Sequence, residues 1–144
     1  MADVVSPQTR SRMMAGIRGR DTKPELAVRK GLHGLGFRFR LSHQSLPGRP
    51  DLYLTKYRTA IFVNGCFWHG HAGCRFFKLP TTRSEFWSRK ISDNVTRDRK
   101  NVARLHDQGW RVVVVWECSL KCSREHVMQE LAKFLRGIGH EFEI

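Results

Sequence analysis

The six residues RVVVVW, at positions 111–116, place four valines in a row between an arginine and a tryptophan. A continuous β-branched run is typical of a strand that is buried on both faces of its sheet. A second strand is predicted at TAIFV (59–63). The segment from Ser84 to about Gln108 separates the two strands, and its apolar residues fall on one face of a helix, namely Trp87, Ile91, Val95, Val102 and Leu105. A helix between two such strands predicts a crossover to a parallel strand.

The remaining elements complete the sheet and its helices. Thr22-Lys-Pro-Glu25 is a capping box that predicts a helix starting at Thr22, and Gly36 predicts its end. The alternation in FRFRL (37–41) and the composition of DLYLT (51–55) predict two more strands. A last helix is predicted in SREHVMQELAKFLRG, with core-facing residues Val127, Leu131, Phe134 and Leu135. The order helix, three strands, helix, strand, helix indicates an α/β fold in which helices flank a mixed sheet.

The length and net charge of the chain limit the classes of function that the protein can have. The 144 residues fit a single domain, residues 1–144. The first 20 residues, basic and punctuated by glycine, are interpreted as an arm, or at most a short helix. Lys and Arg total 26 against 13 Asp and Glu, a net charge of +13. Because basic residues recur along the chain, a nucleic acid is the favoured partner, ahead of an anionic membrane or a merely basic surface. No apolar run is long enough to cross a bilayer, and the start of the sequence lacks the apolar stretch of a signal peptide. We therefore expect a cytoplasmic protein without a membrane partner.

A cluster of cysteine and histidine follows the strand TAIFV. Cys66, His71 and Cys74 are spaced C-x4-H-x2-C, close enough to bind one metal ion, and cytoplasmic cysteines are ligands or free thiols rather than disulfides. Cys118, at the end of the buried strand, could complete a closed, structural zinc site. Cys122 is the competing fourth ligand. Buried thiols with a surface histidine are the alternative interpretation.

Three polar residues are candidates for hydrolytic chemistry. Asp51 follows the stiff turn LPGRP at the start of a strand, where a carboxylate can bind Mg²⁺ for phosphodiester hydrolysis, although aspartate after proline is also ordinary turn chemistry. His69 is a candidate general base, because a neutral imidazole can accept a proton from water near neutral pH; the alternative is a surface or supporting histidine. Glu25 is the capping-box residue, and it joins the active site only if the helix start lies beside Asp51.

Five motifs of the chain resemble those of one family. They are S-L-P-G-R-P-D (45–51), G-C-F-W-H (65–69), T-R-x-E-F-W (82–87), N-V-x-R-D-R (94–99), and G-W-R-V with V-W-E-C (109–118). Together they are similar to the very short patch repair (Vsr) mismatch endonucleases, from Thr9 to about Leu120. The resemblance implies a restriction-endonuclease-like fold with catalytic magnesium and structural zinc. It implies nicking of one strand of double-stranded DNA, 5′ of the thymine in a T:G mismatch left by deaminated 5-methylcytosine.

The resemblance also implies a cellular setting and a set of metal and DNA contacts. We expect a bacterial monomer acting on nucleoid DNA, with a repair polymerase and mismatch-repair proteins as downstream partners. The implied zinc ligands are Cys66, His71, Cys74 and Cys118. The implied DNA-binding residues are Phe67, Trp68 and Trp87, aromatics that enter the DNA, together with Met14 of the arm.

Catalytic roles follow from the same resemblance. Asp51 matches a metal-binding aspartate, and Val63 matches a residue whose backbone carbonyl binds the metal. His69 matches the catalytic histidine, and Glu25 an acidic residue near the active site. Asn64 stands where the family has an active-site histidine; an amide can hold a metal-bound water but cannot titrate near neutrality. The loop before Cys74 is also one residue longer than the family form, and the E-x-K of restriction nucleases is absent after Asp51.

Phe67 and Trp68 lie between the predicted metal ligands. Large aromatic side chains are usually buried in a core. Ligands on either side would instead hold this loop without a core beneath it, so that the rings point outward and wedge into a weakly stacked T:G step. Two other functions remain open: a restriction-type endonuclease that cuts both strands of a matched site, and a non-catalytic zinc-containing DNA-binding module.

Overall fold

The computed structural model describes residues 22–41 and 45–144, so the predicted arm and Met14 lie outside the described residues. Its elements follow the order α1, β1, β2, β3, α2, β4, α3, α4, β5. The helices are α1 (Lys23–Gly34), α2 (Ser84–Asp107), α3 (Glu117–Cys122) and α4 (Arg124–Arg136). The strands are β1 (Arg40–Leu41), β2 (Leu52–Leu54), β3 (Thr59–Asn64), β4 (Arg111–Trp116) and β5 (Glu141–Glu143).

The five strands form one mixed sheet in the order β1-β2-β3-β4-β5. β1, β2 and β3 are antiparallel neighbours, whereas β4 runs parallel to β3, with Val63 opposite Val115, and β5 runs parallel to β4. The long helix α2 is the connection from β3 to β4. The predicted crossover and the α/β fold class are therefore confirmed.

Helices cover both faces of the sheet. The larger core packs α1 and α4 on one face; its most buried members include Val28, Leu32, Leu52, Ile61, Val113, Leu131 and Leu135. The smaller core packs α2 on the other face and contains Leu46, Ala60, Leu105 and Val112. Alternate residues of β4 enter the two cores, which explains why a run of valines was needed there.

The local signals at the first helix act as predicted. The Thr22 hydroxyl accepts a hydrogen bond from the Glu25 amide at 3.4 Å, and Gly36 follows the helix with φ of +86°. α2 begins at Ser84, as predicted, although Arg83 before it adopts a left-handed conformation and offers no side-chain cap. Of the predicted α2 face, Ile91 and Leu105 are buried and the other three residues are half-buried.

Several predicted elements differ from those observed. Only Arg40 and Leu41 of FRFRL pair as a strand, with Tyr53 and Leu52 of β2; Phe37 instead donates its amide hydrogen bond to the Leu32 carbonyl of α1 and packs on Tyr57. RVVVVW is a strand over its full length, but Arg111 and Val114 are half-buried rather than buried. The short helix α3 and the terminal strand β5 were not predicted. Phe134 is half-buried against Phe142. None of the described helices combines the length and apolarity that a bilayer crossing requires.

Candidate active site

One cleft at the edge of the sheet brings the predicted catalytic residues together. It has a volume of about 660 Å³, and its lining includes Glu25, Asp51, Val63, Asn64 and His69. Asp51 lies just before β2, and its Oδ2 accepts a hydrogen bond from the Val63 amide of β3 at 2.6 Å. The antiparallel pairing of β2 with β3 therefore places the start of one strand beside the end of the next.

Asp51 is electrostatically unusual. The pKa of its carboxyl is raised from 3.8 to about 7, mainly by burial, and charge repulsion and hydrogen bonding with the neighbouring Glu25 contribute to this rise. The Val63 amide and, more weakly, His69 oppose the rise. A carboxyl with this pKa is held where binding of a proton and binding of a cation compete near neutral pH.

Glu25 combines the structural and the active-site position. Its side chain is only 3% exposed, and it lies close enough to Asp51 to hydrogen-bond to it. Arg29, one helical turn further along α1, donates to Glu25 Oε2 at 3.3 Å. The start of α1 thus lies beside Asp51. This is the arrangement that Glu25 needs in order to be part of the active site.

His69 has a partner that the sequence prediction missed. Asp98 of α2 places Oδ2 2.7 Å from His69 Nδ1. Asn94, one turn earlier on α2, donates from Nδ2 to the Trp68 carbonyl at 2.9 Å. The signal was the four-residue spacing of these two residues in N-V-x-R-D-R, which puts both on one helix face. Glu117, also missed, lines the cleft and accepts a weak hydrogen bond from the Cys66 amide at 3.4 Å.

Gly70 allows the loop to lie against α2. Its φ is +61°, and a Cβ at this position would come within 2.7 Å of Ile91 Cγ2 and 2.9 Å of Val95 Cγ2. Only glycine combines this backbone conformation with such a close approach. The backbone next to His69 is therefore in close contact with α2.

The four predicted zinc ligands form one cluster. The ligand atoms of Cys66, His71, Cys74 and Cys118 all lie within 4.8 Å of one another, a group that could hold a metal ion. A tetrahedron with metal–sulfur bonds of 2.3 Å has edges of about 3.8 Å, so a small contraction suffices to close it. Cys118 lies in α3, just beyond β4, and Cys122 is exposed and lies outside the cluster.

The thiols of the cluster differ in acidity. Burial raises the pKa of Cys66 to about 12, with Cys118 and Cys74 adding to the rise. Desolvation acts in the same sense on Cys74, but hydrogen bonds from the Phe76 amide and from the neighbouring thiols outweigh it and lower the pKa of Cys74. The thiols of the cluster therefore lose their protons with different ease, and a metal cation bound there would hold them as thiolates.

His71 is held from two sides. Its Nδ1 lies 3.5 Å from Cys118 Sγ, so this ring nitrogen faces the cluster. The imidazole stacks on Trp116 at 4.0 Å between ring centroids, with 3° between the planes. Trp116 is held in turn by Glu143 of β5, which accepts from its Nε1 at 2.5 Å. The strand β5 thus supports the cluster of Cys66, His71, Cys74 and Cys118.

Phe67, Trp68 and Trp87 meet in one half-buried aromatic cluster. Their ring centroids lie 5.1 to 5.8 Å apart. Phe77 and Phe86 extend the cluster on either side. The rings are therefore half-buried, and they support one another beside the cleft.

The chain is similar to known DNA endonucleases. The family model described as DNA mismatch endonuclease Vsr matches residues 2–75. The DNA mismatch endonuclease Vsr of Escherichia coli (strain K12) is 46% identical over 148 residues, which cover 100% of this chain and 94% of the relative. The type II nicking enzyme V.XorIIP of Xanthomonas oryzae pv. oryzae is 49% identical over 120 residues, covering 83% and 88%.

A solved structure supports the fold. The catalytic domain of the homing endonuclease I-Bth0305I superposes with a TM-score of 0.55, covering 79% of this chain and 94% of that chain, at 24% identity. The family model and the full-length relative place the sequence among the same enzymes that its motifs resemble. The chain belongs to the Vsr family of DNA mismatch endonucleases.

Proposed function

We propose that this protein is a magnesium-dependent endonuclease that nicks one strand of DNA 5′ of the thymine in a T:G mismatch arising from deaminated 5-methylcytosine. The observation that carries the proposal is the convergence of Asp51, Glu25 and His69 in one cleft beside an aromatic cluster. We further propose a single endonuclease domain that acts as a monomer on nucleoid DNA in the bacterial cytoplasm. A repair polymerase and mismatch-repair proteins would act after it.

His69 is proposed as the general base. With Nδ1 facing the Asp98 carboxylate at 2.7 Å, the ring keeps its proton on Nδ1 and leaves Nε2 as an acceptor. An acceptor in this position can take the proton of a water as that water attacks the phosphate. Gly70 and Asn94 hold the loop, so the imidazole does not have to be ordered during the reaction.

Asp51 is proposed as the main magnesium ligand. The residues fit this ion, because Asp51 offers a hard oxygen ligand in a confined cleft. The raised pKa of Asp51 shows that the negative charge of its carboxylate is poorly stabilised by the surrounding protein, so a bound cation would stabilise it. The amide and carbonyl of one residue in a strand face the same neighbour, so Val63, whose amide meets Asp51, turns its carbonyl to the same side. When bound, the ion neutralises charge that develops on the phosphoryl oxygens.

Glu25 and Asn64 complete the proposed catalytic set. Glu25 adds a second carboxylate near Asp51 and is itself steadied by Arg29. Asn64 is 7% exposed and lines the cleft, where its amide can orient a water but cannot carry a proton. The proton transfer is therefore assigned to His69 alone.

The Cys3His cluster is proposed as a structural zinc site. Three sulfurs and one imidazole nitrogen are the donors that zinc takes in closed sites, and no position is left for water. Cys66 and His71 bracket the segment that carries Phe67, Trp68 and His69. The metal would therefore fix the wedge and the general base together.

Replacing Asp98 by asparagine is expected to slow nicking by about 10- to 100-fold while leaving DNA affinity unchanged. An amide cannot enforce the tautomer that keeps His69 Nε2 free, and supporting partners of this kind typically contribute that much. Single-turnover nicking and equilibrium binding measure the two quantities separately. Asp98→Glu should recover part of the rate, and Asp93→Asn, an exposed position on the same helix, should behave as wild type. A wild-type rate for Asp98→Asn would remove Asp98 from the mechanism.

Replacing Trp68 by alanine is expected to keep the fold and the zinc but to reduce the preference for T:G over T:A by about tenfold. Base–aromatic stacking contributes about 1–3 kcal/mol per base, and the ring is half-buried rather than part of the core. The measurement compares nicking of otherwise identical T:G and T:A duplexes, with zinc content and thermal unfolding as controls. Unfolding of the variant, or unchanged discrimination, would assign Trp68 to the core.

The proposed function is tested by nicking of a T:G duplex labelled on each strand, with T:A and C:G duplexes as controls. We expect one nick, 5′ of the mismatched thymine, that requires magnesium. Cleavage of both strands of a matched duplex would indicate a restriction-type enzyme. Binding without cleavage in saturating magnesium would indicate a DNA-binding module.

A further inference from the structure

A strip of basic and aromatic residues lies between the metal-binding cluster and α2. We call it the basic–aromatic strip; its members are Arg75, Phe76, Lys78, Leu79, Arg83 and Phe86. Phe76, Leu79 and Phe86 are 36%, 40% and 45% exposed, an unusual density of large apolar side chains at a surface. Residues 75–84 contain three basic residues and no acidic one.

Cations and rings pair along the strip. The Arg83 guanidinium lies 4.3 Å from the Phe86 ring centroid. The Arg75 guanidinium lies 4.9 Å from the Phe76 ring centroid, and Nζ of Lys121, from α3, lies 4.6 Å from the same centroid. A guanidinium stacked on a ring keeps its N–H edge available for hydrogen bonding. Basic groups presented on aromatic supports are the usual composition of a nucleic-acid surface.

The strip is continuous with the aromatic cluster beside the cleft. Phe86 meets Trp87 at 5.3 Å between centroids, and Phe77, which adjoins Phe76 in sequence, meets Phe67 at 6.3 Å. DNA that reaches Trp68 and Trp87 must therefore pass next to the strip.

Arg83 is held in a strained backbone conformation. Its φ of +56° lies in the left-handed region that side chains other than glycine, asparagine and aspartate seldom adopt. It is the N-cap residue immediately before α2, a position where glycine is tolerated. The strain is compatible with a function that needs this guanidinium.

We propose that the basic–aromatic strip binds the phosphate backbone of duplex DNA flanking the mismatched step, with Arg75 and Arg83 as phosphate contacts and Phe86 against the sugar edge. This inference rests on the proposed function and deepens it. The wedge reads the mismatch, and the strip supplies sequence-independent affinity and fixes the position of the duplex on the enzyme.

Two substitutions test the strip without weakening the fold. Arg83→Gly removes the cation and relieves the positive φ, so its thermal stability should equal or exceed that of wild type. Arg75→Gln removes the other phosphate contact while keeping a polar side chain. Each should reduce the slope of log binding constant against log salt by about 1, and the double variant by about 2. T:G and T:A duplexes should lose affinity to the same extent.

The matched control is Lys30→Gln with Lys133→Gln, two basic residues that line the groove between α1 and α4. The control should keep the wild-type salt slope. If the strip variants behave as this control does while wild type still nicks T:G DNA, the strip inference is wrong and the proposed function stands. If wild type does not nick T:G DNA, the proposed function fails instead.

Trimming the duplex locates the contact. Shortening one flank of the mismatch should weaken wild type but add no further loss in the Arg75→Gln, Arg83→Gly double variant, because the contact is already absent. Additive losses for both flanks would overturn the assignment of the strip to flanking DNA. Zinc content measured on every variant excludes loss of the neighbouring metal cluster as the cause.

Discussion

Replacing Asp51 by asparagine is expected to abolish nicking and, at the same time, to stabilise the metal-free protein at alkaline pH. The loss of activity follows from the loss of the main charged ligand, whose contribution to transition-state stabilisation is several kcal/mol, or about a thousandfold or more in rate. Mismatch binding should remain largely intact, because stacking on the mismatched step is assigned to the aromatic rings and not to the Asp51 carboxyl, although Phe67 and Trp68 line the same cleft.

The gain in stability follows from the raised pKa. Because the folded chain holds the Asp51 proton more tightly than the unfolded chain, the favourable contribution is complete below pH 3.8 and is lost as pH rises to about 7. Above that window the buried charge lowers the free energy of unfolding by about 2–4 kcal/mol. Asparagine carries no charge, so the variant avoids this loss.

Chemical denaturation in magnesium-free buffer measures the effect. The variant should exceed wild type at about pH 8 and match it at about pH 4, on the two sides of the window. Nicking by wild type should correspondingly need more magnesium as pH falls through about 7, because proton and metal compete for the same carboxylate. Near-normal turnover of the variant in saturating magnesium, or equal stability at both pH values, would make Asp51 a turn residue only.

Loss of a single cysteine of the cluster is expected to have the second large effect. Cys66→Ser or Cys118→Ser should lose the one zinc per chain and lower the free energy of unfolding by about 4 kcal/mol or more, the linkage expected for a tightly bound ion. Cys66 is buried and its thiol pKa is about 12, so zinc binding must displace a proton and should weaken as pH falls.

Cys122→Ser is the matched control, since Cys122 is exposed and lies outside the cluster. It should keep both the zinc and the stability of wild type. Elemental analysis and thermal unfolding of the three variants decide the assignment. Absence of zinc from the wild-type protein, or damage by Cys122→Ser equal to that by Cys118→Ser, would contradict it.

Parts of the fold that depend on local chemistry were predictable. The capping box at Thr22, the stop at Gly36 and the long amphipathic α2 each act through residues within a few positions of one another. The limits of FRFRL and the existence of β5 were not, because a strand is defined by its partner. Arg40 and Leu41 form a strand because Tyr53 and Leu52 of β2 pair with them, and residues 141–143 form β5 because they pair with β4.

The candidate site divides in the same way. Metal-ligand chemistry and a family resemblance were sufficient to name Asp51, His69 and the four residues of the metal-binding cluster. The spacing of Asn94 and Asp98 marked one face of a helix but did not identify Asp98 as the partner of His69, and nothing local marked Glu143 as the support of Trp116, since each acts across the packing of an element far away in sequence.

The sequence by itself determined the fold class, the family, and the residue types available for chemistry. These features depend on hydrophobic periodicity, helix capping and ligand spacing, which involve residues close to one another in the sequence. The tertiary structure decided how those residues act. It buried Asp51 and placed Glu25 beside it, which together raised the pKa of that carboxyl, and it turned three separate aromatic residues into one supported cluster. The physical reason is that desolvation and charge repulsion depend on distances between elements, which sheet pairing and helix packing fix only in the folded chain.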